Sequence, residues 1–184
     1  MKTSIIVSIL FLVASVSSQD RFPEPPKDLT RIYYLNESEL TPLPFEEGLV
    51  HANVFVPALQ DKVTRVLIKG ASAATVLSND KLRFYAYVAD RMDPAPHQLV
   101  RLTNRNSNRE LKISLIKGRK GYAPFAADTI ELEHRLLERL RVNAGSNRIL
   151  FVNYMELRPK DKLISGEYAI IGDSLADMAT FRIK

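Results

Sequence analysis

The sequence predicts a mainly β protein, an antiparallel β-sandwich of the immunoglobulin-like or a related type. Short segments rich in β-branched and aromatic residues recur along the chain. Polar turns, many with Gly, Pro or Asn, interrupt these segments about every ten residues, a spacing typical of sandwiches and open barrels. A single segment, residues 128–143, is ambiguous and leaves room for one short helix.

Strand patterns follow one another through most of the chain. They lie at residues 31–35, 49–56, 63–69, 81–89, 98–103, 110–117, 148–156, 166–171 and 180–183. Residues 63–69 carry apolar side chains at both parities, which predicts a strand covered on both sides. The Asn-rich link at 104–108 predicts a hairpin loop between its two flanking strands.

Residues 128–143 fit two interpretations. Their even positions hold Ile130, Leu132, Leu136, Leu140 and Val142, as on one face of a long strand. Leu132, Leu136, Leu137 and Leu140 equally form a helical stripe, and Asp128 with Glu131 resembles a capping box. The helix propensity of Glu, Leu and Arg tips the interpretation towards a helix.

The N-terminus has the organisation of a secretory signal peptide. Lys2 precedes a short apolar stretch, and small residues end it at Ser18, as a cleavage site requires. The stretch is shorter than the roughly 20 residues that span a bilayer, and no Cys is present to accept a lipid. We expect residues 1–18 to be removed, residues 19–29 to form a proline-rich tether, and residues 30–184 to form one β-sandwich domain.

Composition places the chain among ordinary globular proteins, with 46% hydrophobic and 26% charged residues. The absence of Cys excludes disulfides, thiolate metal sites and thiol catalysis. The net charge of +5 falls to +4 when the leader, whose single charge is Lys2, is removed. These features predict an exported protein, periplasmic or extracellular, with no transmembrane segment after cleavage.

Catalytic motifs are not evident. The three histidines, His51, His97 and His134, are far apart in sequence, and no Gly-x-Ser-x-Gly elbow is present. The sequence therefore predicts no catalytic residue, metal site, cofactor or nucleic-acid partner. A hydrolase assembled from dispersed Glu and His residues remains an alternative.

A cluster of cations is the best candidate for a binding site. Within sixteen residues it contains Arg105, Arg109, Lys112, Lys117, Arg119 and Lys120, and Tyr122 follows. If these side chains share one sheet face, they could hold an anionic polysaccharide or lipid head group. The alternative is an ordinary solvated hairpin.

Near the C-terminus, Leu163-Ile164-Ser165-Gly166-Glu167-Tyr168-Ala169 resembles the L-x-P-G-E-Y-A segment of uncharacterised exported bacterial β-sandwich proteins. Ser165 stands where that segment has proline. The resemblance implies a fold and a compartment but no catalytic residues. We expect Tyr168 to place its ring in the core, and Glu167 to face outward or cap a backbone group.

These observations together predict an exported, non-enzymatic β-sandwich that acts as an accessory or interaction module of the bacterial cell envelope. An envelope protein or an anionic polysaccharide or lipid is the expected partner. Binding of an anionic envelope polymer through the basic hairpin is the second hypothesis, and the dispersed hydrolase is the third.

Overall fold

The computed structural model describes residues 22–55, 62–90, 97–115, 122–143, 149–172, 175 and 177–184. Within these residues the chain forms fifteen strands and one 3-10 turn at Ala126–Asp128, so the mainly β prediction is confirmed. The predicted signal peptide, residues 1–18, lies outside the described residues. In chain order the strands are β1 (Tyr33–Asn36), β2 (Glu39–Pro42), β3 (Phe45–Glu46), β4 (Gly48–Phe55), β5 (Lys62–Lys69), β6 (Val76–Leu77), β7 (Phe84–Ala89), β8 (Gln98–Arg105), β9 (Asn108–Leu115), β10 (Tyr122–Pro124), β11 (Thr129–Ile130), β12 (Leu132–Asn143), β13 (Ile149–Pro159), β14 (Gly166–Ile171) and β15 (Met178–Ile183).

The strands form two sheets, which we call the five-stranded sheet and the barrel sheet. The five-stranded sheet has the order β12-β13-β7-β1-β2, and all its neighbours are antiparallel. The barrel sheet follows the order β3-β15-β14-β8-β9-β5-β4, with β6, β10 and β11 as short additions. Its end strands β3 and β4 are separated in the chain by Glu47 alone. The sheet therefore curls until its edges approach each other, and it is nearly closed.

Two hydrophobic cores result from this arrangement. The sandwich core lies between the five-stranded sheet and the face of the barrel sheet that it covers, where the rings of Phe84 and Phe181 are 5.0 Å apart. The barrel core lies inside the curled sheet and includes Val66 and Leu111, neither of which is exposed to solvent. The sandwich prediction thus holds for one pair of layers, and the second layer is itself curled around a core of its own.

Strand β14 belongs to both cores. Tyr168 and Ile170 point into the sandwich core, whereas Ala169 and Ile171 point into the barrel core. Side chains alternate between the two faces of a strand, so an apolar residue is needed at each of these four consecutive positions.

The outer face of the five-stranded sheet carries a tyrosine cluster. Its members are Tyr33, Tyr85, Tyr87 and Tyr154. Residues 22–28, which we call the strap, contain neither helix nor strand and lie against this cluster. Three of the hydroxyls, those of Tyr33, Tyr87 and Tyr154, donate hydrogen bonds to strap carbonyls. This described part of the predicted tether is thus packed on the domain.

Of the two interpretations of residues 128–143, the favoured helix is wrong and the long strand is found. Most of this segment is the strand β12, which pairs with β13 from Leu132 to Asn143. The register shifts between Leu136 and Glu138, which marks a β-bulge at Leu137. Leu132 therefore packs against the sandwich core, while Leu137 packs against the tyrosine cluster on the opposite face.

The bulge explains why the pattern was ambiguous. A bulge inserts one residue, so the even-numbered positions change faces halfway along the strand. The adjacent leucines 136 and 137 completed an apparent helical stripe, yet in the strand they lie on either side of this change. The helix propensity of Glu, Leu and Arg is outweighed because β12 pairs with β13 along its whole length.

The structure differs from two further predictions in detail. The hairpin of β8 and β9 is tighter than predicted, because its turn is only Asn106 and Ser107, both with positive φ (47° and 64°). Strand β5 is covered on its inner face alone, since Ile68 is buried while Lys69 is exposed.

Gly48 should be intolerant of a side chain, because it lies where the barrel sheet nearly closes. A Cβ atom there would lie 2.5 Å from the Leu175 carbonyl oxygen and 2.9 Å from Met178 Sδ. We expect Gly48→Ala to lower the free energy of unfolding by about 2 kcal/mol or more, measured by urea denaturation. Gly166→Ala is the matched control, since its nearest neighbour is an Arg101 side-chain atom at 3.4 Å. Equal stability of the two variants would contradict this account.

The tyrosine cluster should make the fold sensitive to alkali. Burial raises the pKa of Tyr87 to about 12 and also raises the pKa of Tyr154. The folded state thus holds its protons more tightly than the unfolded chain, where tyrosine titrates near pH 10. Their stabilisation is complete below about pH 10 and is lost as the pH rises towards 12.

We expect urea denaturation at increasing pH to show this loss. The loss of unfolding free energy at high pH should be smaller in Tyr87→Phe than in Tyr34→Phe. Tyr34 is the control because it packs on the sandwich-core side of β1, away from the tyrosine cluster. An identical pH dependence in both variants would count against the cluster as its source.

Candidate functional site

The structure separates the predicted basic cluster. Arg105 and Lys112 are exposed on the outside of the barrel sheet, whereas Arg109 is buried inside it. Tyr122 begins β10 and pairs with Leu115 of β9. The other predicted members, Lys117, Arg119 and Lys120, lie outside the described residues.

Arg109 is a structural residue, which corrects its assignment to a binding surface. Only 1% of the residue is exposed. Its Nε donates to the Gly70 carbonyl at 2.9 Å, and one terminal nitrogen donates to the Lys69 carbonyl at 3.0 Å and to the Glu46 carboxylate. The other terminal nitrogen lies 4.0 Å from Glu167. A guanidinium held in this way has no surface to offer a partner.

Glu167 completes this buried ion cluster. Its carboxylate accepts hydrogen bonds from the Ser72 hydroxyl and the Ala73 backbone N–H, both at 2.8 Å. Of the two roles expected for Glu167, capping of a backbone group is therefore the one found. Tyr168 is buried as expected, and its hydroxyl donates to the Ile164 carbonyl at 2.7 Å.

Positive charge is concentrated in four adjacent strands of the barrel sheet. Strand β5 contains three Lys or Arg residues, and β8 and β9 contain two each, making seven, while β4 contains none. The same four strands contain a single carboxylate, that of Glu110. Their net charge of +6 exceeds the +5 of the whole chain.

The register places the outward-facing cations in two rows across these strands. We call this surface the basic wall, and its members are Arg65, Lys69, Arg105 and Lys112. Lys69 and Arg105 both pair with Asn108, which puts them in the first row. Arg65 pairs with Lys112 and also with the exposed His51, which forms the second row. The rows are four residues apart along the strands, or about 13 Å.

Glu110 lies between the rows and fixes two of the cations. It is 4% exposed, and one carboxylate oxygen is 3.5 Å from Arg65 and 3.6 Å from Arg105. Lys69 and Lys112 have no carboxylate within ion-pair distance in the described part of the chain. Their ammonium groups therefore remain available to an anion from outside.

Like charges face each other directly within the wall. The Cα atoms of Arg65 and Lys112 are register partners on neighbouring antiparallel strands. Such a pair destabilises a sheet by a few tenths of a kcal/mol to about 1 kcal/mol. Glu110 offsets this repulsion at Arg65, whereas Lys112 has no carboxylate within ion-pair distance among the described residues.

Sequence reasoning missed Arg65 and Lys69, since both come from a strand about forty residues before the predicted cluster. A signal was present in the sequence, because residues 65, 67 and 69 share one face of a strand. It was discounted when that strand was expected to be covered on both sides.

Two clefts lie elsewhere on the surface, and neither is lined by a histidine. The first, of about 520 Å³, is lined by five cations, and four of them, Arg83, Arg158, Lys160 and Lys162, have a carboxylate partner within the protein. Both arginines approach the fully buried Glu156, at 3.6 Å and 2.9 Å respectively. Lys160 pairs with Glu131, and Lys162 pairs with Asp80 at 3.7 Å.

The second cleft, of about 570 Å³, has a mixed lining. It includes Arg101, Arg182 and Lys184 together with the acidic Asp128 and Glu167. Its lining thus combines three cations with two carboxylates.

The three histidines lie on different parts of the described structure. His51 lies on β4, His97 immediately precedes β8, and His134 lies on β12. Across the described ranges, no three His, Asp or Glu side chains are grouped so that they could hold a metal ion.

Comparison with protein-family models, with curated proteins and with solved structures found no match to this chain. The resemblance of residues 163–169 to exported bacterial proteins therefore stays a prediction. Within the residues that the structure describes, no helix has the length and apolar character needed to cross a membrane.

Two arginines on one hairpin should differ sharply in their contribution to stability. We expect Arg109→Gln to lower the free energy of unfolding by about 3–5 kcal/mol, because it leaves two carboxylates without their buried counterion. The matched Arg105→Gln should cost about 0.5 kcal/mol or less, since 53% of that side chain is exposed. Chemical denaturation of both variants measures the difference, and a near-neutral Arg109→Gln would refute the structural role.

Proposed function

We propose that this protein is an exported, non-catalytic interaction module of the bacterial cell envelope that binds an anionic polymer through its basic wall. The observation that carries the proposal is the segregation of charge. Four adjacent strands contain seven cations and one buried carboxylate, while the rest of the chain is close to neutral. Four of these cations form the basic wall, and one, Arg109, is buried.

The spacing of the wall favours a polymer over a small anion. Its cations are spread over two rows about 13 Å apart, and the wall is an open sheet surface. A small anion would reach one row, whereas an extended chain with repeated negative charges can contact both. Summed charge of one sign also raises the local concentration of such a partner and its rate of association.

The fixed and free cations would have different parts in binding. Glu110 holds Arg65 and Arg105 in place, so that less side-chain freedom is lost when they meet a ligand. Lys69 and Lys112 are exposed and long, so they can adjust to the position of each anionic group.

A charge-reversal experiment tests the proposal. The double variant Lys69→Glu/Lys112→Glu should bind dextran sulfate at least about tenfold more weakly than the natural chain, a loss of about 1.4 kcal/mol. Binding to the natural chain should weaken steeply with added salt, because the contacts are exposed. Uncharged dextran is the reference polymer and should not bind.

The control is Lys162→Glu/Lys184→Glu, which changes the net charge equally but places the new charges in the two clefts. This variant should retain most of the affinity. An equal loss in both double variants would mean that net charge, not the wall, governs binding, and unchanged binding in the wall variant would overturn the proposal.

A further inference from the structure

The strap makes a distinctive set of contacts with the tyrosine cluster. The Tyr154 hydroxyl donates to the Pro23 carbonyl at 3.4 Å, Tyr87 donates to the Pro26 carbonyl at 2.6 Å, and Tyr33 donates to the Asp28 carbonyl at 2.9 Å. The three tyrosines come from β13, β7 and β1, which are neighbours in this order in the sheet. The strap therefore crosses three strands from Pro23 to Asp28.

The hydrogen bonds go to the backbone of the strap and not to its side chains. Proline has no N–H, so carbonyl oxygens are the polar groups that a proline-rich backbone chiefly presents. The bonded carbonyls of Pro23 and Pro26 are three residues apart, which is one turn of a polyproline II helix. A row of hydroxyl donors with this spacing would suit a segment in that conformation.

Aromatic surface completes the groove. The rings of Tyr87 and Tyr154 stack with centroids 5.2 Å apart, and Tyr85 lies 5.9 Å from Tyr154. The Arg135 guanidinium lies 4.7 Å from the ring centre of Phe22 at the start of the strap. Stacked aromatic side chains with hydroxyl donors are the means by which proteins bind polyproline II segments.

The strap is also held in a way that permits release. It lies ahead of β1, and it contacts the sheet through three hydrogen bonds, one cation–π interaction and three partly buried prolines. At its end, Asp28 also accepts hydrogen bonds from Thr30 and pairs with Arg31 at 3.7 Å. Phe22, Glu24 and Lys27 are exposed. The cluster beneath it belongs to strands that are paired and packed independently of the strap.

We propose that the tyrosine face of the five-stranded sheet is a recognition groove for proline-rich segments, and that the strap is a resident ligand which a proline-rich segment of a partner protein displaces. The site lies on a different sheet from the basic wall and takes a different class of ligand. It therefore stands independently of the proposed function.

A fluorophore attached to the strap of the full mature chain tests this proposal. The protein has no natural cysteine, so Glu24→Cys gives one attachment point for a fluorophore on an exposed strap residue. An unlabelled peptide with the sequence of residues 22–29 should release the strap and lower the fluorescence anisotropy in a saturable way. A peptide with both Pro23 and Pro26 replaced by alanine should need at least about tenfold higher concentrations, because it loses the preorganised backbone.

Two conservative variants locate the groove. Tyr87→Phe keeps the ring but removes the hydroxyl donor, and it should raise the mobility of the label without any peptide. Tyr34→Phe alters the opposite face of β1 and should leave it unchanged. Thermal unfolding of each variant confirms that the domain is folded.

Three results would overturn the proposal. The first is an anisotropy that does not respond to peptide at millimolar concentration, which would make the strap a fixed part of the fold. The second is equal potency of the alanine peptide, which would remove the recognition of proline. The third is release that depends on protein concentration alone, which would assign the groove to the strap of a second copy.

Discussion

The burial of β14 on both faces is the constraint on which the rest of the structure depends. Its side chains alternate between the sandwich core and the barrel core, and residues 167–171 are all buried. A single strand thus joins the packing of the two sheets, so loosening one core exposes the other. The same constraint explains why the Glu167 carboxylate has three partners. It faces the barrel interior at the end of the strand, where a carboxylate is costly unless hydrogen-bonded and paired. Ala73, Ser72 and the buried Arg109 supply those partners.

A second buried carboxylate follows the same logic on the five-stranded sheet. Glu156 is fully buried, and it accepts hydrogen bonds from Tyr85 at 3.3 Å and from Arg158 at 2.9 and 3.0 Å. In each sheet a buried carboxylate, Glu167 or Glu156, lies within ion-pair distance of at least one arginine. The arginines in the two sheets differ in how deeply they are buried. Arg109 is almost completely buried, whereas about a third of the Arg158 side chain reaches solvent. Burial of the arginine itself, and not burial of its carboxylate partner, separates Arg109 from the arginines that reach solvent.

The sequence predicted the local elements better than their assembly. Strands such as β7 and β14 combine β-branched or aromatic residues with clear turn signals, and those signals are local. The helix at residues 128–143 failed because a bulge imitates a helical stripe, and only pairing with β13 reveals it. Arg109 was misplaced for a related reason. Its hairpin was recognised, but its side of the sheet depends on the curling that brings the end strands β3 and β4 towards each other. Arg65 and Lys69 were missed because the register of β5 on β9 is a long-range property.

The distribution of function-related features follows from the same architecture. The five-stranded sheet covers one side of the barrel sheet, so the strands β4, β5 and β9 are left with an outer face open to solvent. That face carries cations in excess, including a like-charged pair that works against stability. The outer face of the five-stranded sheet instead carries aromatic rings, and the chain covers them with its own strap. A surface that needs covering is apolar and would otherwise invite association, whereas a charged surface remains soluble when open. The fold therefore keeps its charged surface exposed and its aromatic surface covered by the strap.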